Sequence, residues 1–165
     1  MAHCPPEVTA VFVGDALFGE QDYVEQLHKQ VTELHLEQRV QFLGFRADVI
    51  PLMSACDLIA HTSIAPEPFG RVIVEAMLCG RPVVAANAGG AIELVENGKT
   101  GWLVSPGEPM QLASAIMTCL QQRESTANVA RQGQLAASQR FDLNNIEQQI
   151  DQLLQRLLQE ARSEG

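Results

Sequence analysis

The chain has 165 residues, of which 46% are hydrophobic and 19% are charged. That length suits one domain, and the composition supports a buried core and argues against intrinsic disorder. No apolar run approaches the ~20 residues that a membrane-spanning helix needs, so we expect no transmembrane segment. The N-terminus lacks the basic and apolar regions of a signal peptide. The net charge of -9 excludes nucleic acid and anionic membranes as first candidates for partners, because like charges repel.

The acidic residues are concentrated at the start of the chain. The charge balance is -6 over residues 1–37, -1 over residues 38–106 and -2 over the remainder. The middle third is therefore the part least hostile to an anionic ligand.

The cysteines are far apart in the sequence and form no Cys-x-x-Cys pair. They are Cys4, Cys56, Cys79 and Cys119. This spacing argues against a zinc site and against a disulfide framework, and it favours a reducing cytoplasm.

Short apolar runs alternate with helical patterns along the first two thirds of the chain. Strands are predicted at residues 8–13, 39–43, 57–61, 82–86 and 101–104. Helices are predicted at residues 20–36, 47–55, 72–80 and 91–96. From Glu108 the chain is predicted to be helical to its end, with breaks near Glu124 and Phe141, and residues 142–160 form a C-terminal helix.

This alternation is typical of βαβ units. It predicts an α/β fold: one Rossmann-like domain over residues 1–165, with a doubly wound parallel sheet, helices on both faces and a helical C-terminal tail. Such sheets bind ligands at the carboxyl ends of their strands, so the chemistry is expected in the loops that follow Val13, Leu43, His61 and Ala86.

The loop at residues 62–69 has the composition of an anion site. It leaves a predicted strand and enters a helix at Gly70, where unpaired backbone amides and the positive end of the helix dipole would face a phosphate. Glu75, about one turn further on, could accept hydrogen bonds from both ribose hydroxyls. Glu67 would face the group that is attached to the far side of a pyrophosphate. The alternative is that these carboxylates only cap the helix or are solvated.

Six motifs in this sequence resemble those of a known family in their order and spacing. They are FVGD at 12–15, VQFLGF at 40–45, EPFGRVIVEAM at 67–77, GRPVVA at 80–85, GGAIELV at 89–95 and GKTGWLV at 98–104. The third contains a Glu-x7-Glu signature. The chain resembles the C-terminal, donor-binding domain of group 1 (family 4) retaining glycosyltransferases, which have the GT-B fold.

The resemblance implies that the chain binds a nucleotide-diphospho-sugar donor for retaining glycosyl transfer, without a metal or other cofactor. It places Glu67 beside the donor sugar as the catalytic candidate and Glu75 on the ribose. The other donor-binding positions are Gly14 in the first loop, Phe45 and Arg46 beside the base, and the backbone of Phe69, Gly70, Arg71 and Val72 at the pyrophosphate. A side chain introduced by Gly70→Val is expected to occupy the phosphate position.

Two features of the family are not found in this sequence. The family domain opens with a strand and helix that carry an Arg and a Lys for the diphosphate, and an N-terminal domain supplies the acceptor. Without them the isolated chain is expected to be inactive. Because the missing strand would lie in the centre of the sheet, the strands at 8–13 and 57–61 must either close up on each other or have another strand in its place. The alternatives are a non-catalytic nucleotide-binding or interaction module and, more weakly, a sugar-nucleotide epimerase-like domain.

Two further features have simpler interpretations. His61 ends a strand beside the site, where a lone histidine is usually a polar partner for nearby backbone. The apolar stripe at residues 146–158 is expected to contact the core or a partner, and it could drive self-association.

Overall fold

The computed structural model describes residues 1–16 and 19–163 of the chain. The strands in this part are β1 (Ala10–Phe12), β2 (Val40–Phe42), β3 (Ile59–His61), β4 (Val83–Ala86) and β5 (Trp102–Val104). The helices are α1 (Gln21–Glu33), α2 (Val49–Ala55), α3 (Arg71–Leu78), α4 (Ala91–Leu94), α5 (Pro109–Gln121), α6 (Arg123–Arg140) and α7 (Leu143–Ser163). The predicted order of strands and helices is confirmed, and the ends of most elements are shorter by one to three residues.

The strands are parallel but form two sheets. β1 pairs with β2 in one sheet, and β3, β4 and β5 follow one another in the other. The prediction of a parallel α/β fold is confirmed, whereas the continuous sheet is not formed among the described residues. Among the described residues, β1 and β3 do not pair with each other, and no other strand takes the place between them. β1 pairs only with β2 there, and β3 pairs only with β4.

Helices cover both faces of the second sheet, as predicted. Along β4 the side chains of Val83 and Ala85 join a buried cluster with Ile73 of α3. Val84, which points the opposite way in a strand, packs with Cys119 of α5 instead. All four residues of β4 are buried, which identifies it as the centre of this sheet.

α6 fixes α3 against the rest of the domain. The side-chain amide of Gln134 donates to the carbonyl oxygen of Leu78 at 2.9 Å. Gly133 lies so close to the carbonyl oxygen of Thr100 that an added Cβ would stand 2.6 Å from it. The long helical C-terminal part of the chain therefore supports the helix that follows β3.

The first sheet is far more exposed than the second. Val11 and Phe12 of β1 are 45% and 46% exposed, although both are apolar strand residues. The ring of Phe12 stacks on that of Phe42 with centroids 5.1 Å apart, and His28 of α1 lies 4.1 Å from the same Phe42 ring. Among the described residues, no helix is both long and apolar enough to cross a membrane.

Candidate functional site

The loop between β3 and α3 leads into the N-terminus of α3, where backbone amides are left without an intrahelical acceptor. Gly70 precedes α3 with a φ of 93°, in the left-handed region that favours glycine. The amides of Ile73 and Val74 donate to the Gly70 carbonyl. The amides of Arg71 and Val72 stand at the first two positions of the helix, where no intrahelical acceptor exists. They therefore remain to bind an anion at the positive end of the helix dipole.

Two glycines after β4 hold this loop in place. The amide of Gly90 donates to the carbonyl oxygen of Glu67 at 2.7 Å. A Cβ on Gly90 would overlap the carbonyl oxygen of Phe69, and one on Gly89 would overlap that of Glu67. The backbone of the loop thus rests directly on the backbone of the turn that leads into α4.

The ring of Phe69 is held from a distant part of the chain. It meets the ring of Phe141, at the end of α6, edge to face with centroids 5.8 Å apart. The guanidinium of Arg140 lies 5.3 Å from the centre of the Phe141 ring and donates to the carbonyl oxygen of Glu93 at 2.5 Å. The loop is therefore supported both by α4 and by the end of α6.

Glu75 lies one turn along α3, as the helical spacing predicts. Its carboxylate is 3.2 Å from Nε of Arg71, and the side chains are 28% and 84% exposed respectively. An exposed ion pair of this i,i+4 type contributes little to stability. Glu75 thus keeps a partly open carboxylate on the helix whose first amides are free.

Glu67 lies beside His61, the last residue of β3. The two side chains approach to 3.9 Å between Nε2 of His61 and Oε2 of Glu67, with exposures of 14% and 37%. His61 was expected to be a polar partner for nearby backbone, whereas the approach found here is to the side chain of the candidate catalytic carboxylate.

One expectation about Gly70 is wrong. A Cβ built there would point at Cδ1 of Ile73 and Cδ1 of Leu94, at 3.1 and 3.2 Å, and both belong to or pack on the buried cluster. A Gly70→Val side chain would therefore press on the core and strain the left-handed backbone, instead of filling the phosphate position. The direction of the Cβ follows from the φ of 93°, which the sequence does not reveal.

The remaining predicted site residues lie at the ends of the first sheet. The amide of Gly14 donates to the carbonyl oxygen of Gly44 at 2.9 Å, which ties the loops after β1 and β2 together. Phe45 is 68% exposed. Arg46 makes a two-point contact with Asp48 at 2.7 and 2.6 Å, and this contact lowers the pKa of the Asp48 carboxyl.

The structure thus brings together the predicted residues in two groups. Glu67, Phe69, Gly70, Arg71, Val72 and Glu75 form one continuous loop and helix on the three-stranded sheet. Gly14, Phe45 and Arg46 lie in the loops that follow the two strands of the first sheet. Within the described residues, no hydrogen bond or ion pair joins the two groups.

Comparison with known proteins decides the family. The sequence model of the family described as "Glycosyl transferases group 1" matches residues 4–136. The chain belongs to the group 1 glycosyltransferases. The resemblance inferred from the six motifs is confirmed, as are the Rossmann-like fold and the relation to GT-B enzymes.

Solved structures resemble the chain over most of its length. Crystal structures of HepE from Anabaena in complex with UDP and with UDP-glucose are 64% identical to the chain, with TM-scores of 0.91 and 0.90. Each covers 94% of the chain but only 43% of HepE. The crystal structure of the C-terminal domain of LpcC from Francisella tularensis, 26% identical, covers 84% of the chain and 72% of that domain with a TM-score of 0.76.

A curated relative extends the comparison to sequence. The N-acetyl-alpha-D-glucosaminyl L-malate synthase of Bacillus anthracis is 30% identical over 133 residues, which is 81% of the chain and 35% of the relative. The chain therefore spans well under half the length of both this synthase and HepE.

Gly89 and Gly90 are the site residues that the prediction of functional positions missed. The signal was present, since the loop after Ala86 was expected to carry chemistry and a glycine doublet stands in it. Their contact with Glu67 and Phe69 spans about twenty residues of sequence, so only the fold reveals it. Phe141 carried no comparable signal.

Proposed function

We propose that residues 1–165 form one donor-binding domain of a retaining glycosyltransferase, and that the donor is a uridine diphospho-sugar. The single observation that carries the proposal is the start of α3, where Gly70 leaves two amides open and Glu75 follows one turn later on the same helix. The HepE complexes with UDP and UDP-glucose support uridine as the base, because HepE is 64% identical over this region.

Each group of site residues takes one part of the donor in this proposal. The backbone of Phe69, Gly70, Arg71 and Val72 binds the diphosphate. Glu75 accepts hydrogen bonds from the ribose hydroxyls, and Glu67 lies against the sugar hydroxyls. Phe45 and Arg46 border the base, and Gly14 allows the first loop to approach.

No metal or other cofactor is needed for this binding mode. The amides and the dipole of α3 meet the diphosphate directly. We therefore expect the affinity for UDP-glucose to be the same with magnesium and with EDTA. We further place the protein in the cytoplasm, because all four cysteines are unpaired thiols, as a reducing compartment would keep them.

Calorimetric titration of the whole chain with UDP, UDP-glucose, GDP-mannose and ADP-glucose tests the donor assignment. We expect binding of the two uridine ligands and weaker binding of the others. No binding of any of them to a folded sample would refute the donor site, and preference for another base would refute uridine.

Two substitutions separate the roles of the carboxylates. Glu75→Gln should weaken the binding of both UDP and UDP-glucose by ~1.5–3 kcal/mol, the size of a charge-assisted hydrogen bond. Glu96→Gln is the matched control, because Glu96 forms an exposed pair with Lys99 at 2.7 Å. Glu67→Ala should weaken the binding of UDP-glucose and leave the affinity for UDP nearly unchanged. Equal losses for the two ligands would contradict its place beside the sugar.

We expect the 165 residues alone to carry out no glycosyl transfer. Transfer needs the acceptor held against the donor, and such positioning contributes ~7–11 kcal/mol in favourable cases. It also needs positive charge for the departing diphosphate, whereas residues 1–37 carry a balance of -6. Multiple-turnover transfer from UDP-glucose to simple acceptors by the purified chain would overturn this expectation.

A further inference from the structure

His61 is a residue at the site to which the proposed function gives no role. It is the last residue of β3, and its pairing with Ala85 of β4 fixes its backbone in the three-stranded sheet. Its side chain is only 14% exposed. Within the described residues, its imidazole makes no hydrogen bond. An imidazole always carries at least one N–H group, so His61 has a donor available beside Glu67.

The gap between His61 and Glu67 is too wide for a hydrogen bond and wide enough for an oxygen atom. Nε2 of His61 and Oε2 of Glu67 are 3.9 Å apart, whereas an N–H···O hydrogen bond spans ~2.7–3.2 Å. An oxygen placed ~2.8 Å from both atoms would bind them at an angle of roughly 90°. A hydroxyl group can make both contacts at once, because it accepts from an N–H group and donates to a carboxylate.

The chemistry of the two side chains favours a neutral hydroxyl over an ion. A phosphate oxygen between them would be repelled by the carboxylate of Glu67. A metal ion needs more ligands than these two, and no group of three His, Cys, Asp or Glu side chains lies together in the part of the chain that the structure describes. A group that both donates and accepts hydrogen bonds is therefore the ligand that fits.

The backbones on both sides of the gap are fixed before any ligand arrives. His61 is held by the pairing of β3 with β4. Glu67 is held by the hydrogen bond from the amide of Gly90 to its carbonyl oxygen, at 2.7 Å. A hydroxyl that enters the gap therefore loses little of its binding free energy to ordering the protein.

We propose that His61 is a sugar-binding residue of the donor site: Nε2–H of His61 donates to one hydroxyl of the donor sugar, and that hydroxyl donates to Glu67. The inference rests on the proposed function, which places Glu67 against the sugar, and it adds the residue that makes the second hydrogen bond. It also makes the site selective, because a sugar without a hydroxyl at that place leaves both protein groups unpaired.

Two amide substitutions test the contact between His61 and the sugar. Glutamine carries its amide nitrogen as many bonds from Cβ as Nε2 of histidine, and asparagine carries it one bond closer. In calorimetric titration of the whole chain, His61→Asn should lower the affinity for UDP-glucose about 10-fold and leave the affinity for UDP unchanged. His61→Gln should preserve both affinities. His61→Ser replaces His61→Asn if circular dichroism shows that the latter is unfolded.

The two ligands distinguish failure of this inference from failure of the donor site. If the unsubstituted chain does not bind UDP, the donor site is refuted and the inference with it. If UDP binds, but His61→Asn weakens both ligands equally or neither of them, the inference alone is overturned. A loss in His61→Gln as large as that in His61→Asn overturns it as well.

A second background separates contact with the sugar from positioning of Glu67. In a Glu67→Ala chain, His61→Asn should still lower the affinity for UDP-glucose, because the imidazole touches the sugar itself. No further loss would mean that His61 acts only through Glu67, which overturns the proposal.

UDP-glucose analogues that each lack one sugar hydroxyl identify the bound group. One analogue should bind the unsubstituted chain more weakly than UDP-glucose does, and its affinity should not fall further in His61→Asn. The other analogues should show the same loss in His61→Asn as UDP-glucose. A loss in His61→Asn that is equal for every analogue would show that His61 binds no single hydroxyl, and would overturn the proposal.

Discussion

β1 and β4 are both short apolar strands in parallel sheets, yet the fold treats them differently. The residues of β4 are at most 4% exposed, because α3 and α5 cover its two faces and β3 and β5 cover its two edges. β1 has one paired edge, and its Val11 and Phe12 remain almost half exposed. The comparison teaches that apolar sequence makes a strand, whereas burial and stability come from its neighbours.

The difference extends to the site. The loop after β3 rests on glycines after β4 and on the end of α6, so the diphosphate-binding amides stand on the buried sheet. The candidate base-binding residues after β2 stand on the exposed one. Substitutions matched between the two regions should therefore have unequal effects.

The largest effect is expected from Gly90→Ala. Its Cβ would overlap the Phe69 carbonyl oxygen, so the loop must move away from α4, and the affinity for UDP should fall at least ~100-fold, or ~2.8 kcal/mol. Gly19→Ala is the matched control in the other region, since nothing lies within 4 Å of its Cβ although its φ is 84°. Calorimetric titration of both variants measures the contrast. Equal UDP affinities would show that the glycine contact does not support the site.

An intermediate effect is expected from a valine-to-alanine substitution in each sheet, which removes two methyl groups in both cases. Val84→Ala empties part of a fully buried position and should lower the free energy of unfolding by ~2–3 kcal/mol. Val11→Ala, at a position 45% exposed, should cost about 1 kcal/mol or less. Urea denaturation of the two variants gives both values. A loss at Val11 as large as that at Val84 would mean that β1 is covered in solution.

The smallest effect concerns thiol chemistry, which leaves the fold unchanged. Burial raises the pKa of the Cys119 thiol to about 11, so its thiolate is scarce at pH 8. Alkylation of the native chain should label Cys119 last, at a rate that increases with pH until about pH 11. Peptide mapping after timed exposure to iodoacetamide measures this order. Early labelling of Cys119 would show that the sheet opens near α5 more readily than its burial indicates.

The elements of the fold were largely predictable from the sequence, because each depends on local pattern. The strand predicted at residues 82–86 is found at Val83–Ala86, because this run is apolar and is bounded by Gly80 and by the turn after Ala86. The C-terminal helix predicted at 142–160 is found at Leu143–Ser163. The division into two sheets was not predictable, because strand pairing is a contact between distant residues.

The candidate site divides in the same way. Gly70 precedes α3 and Glu75 lies in it, so their separation of about one turn could be predicted from helical spacing. Glu67 belongs to the loop that leads into the same helix, so its place in this segment could also be predicted. The contacts of Gly90 with Glu67 and of Phe141 with Phe69 join distant segments, and no local pattern encodes them. The direction of the Gly70 Cβ was mispredicted because it depends on a left-handed backbone angle.

The paired glycines after Ala86 also have a consequence for the entropy of ligand capture. A free loop that becomes ordered on binding loses ~1–2 kcal/mol of backbone conformational entropy for each residue fixed. Here the hydrogen bond from Gly90 to Glu67, with the edge-to-face contact at Phe69, fixes the loop before any ligand arrives. The missing Cβ atoms therefore preorganise the amides of α3, so that little of the attraction for a diphosphate is lost to ordering the protein.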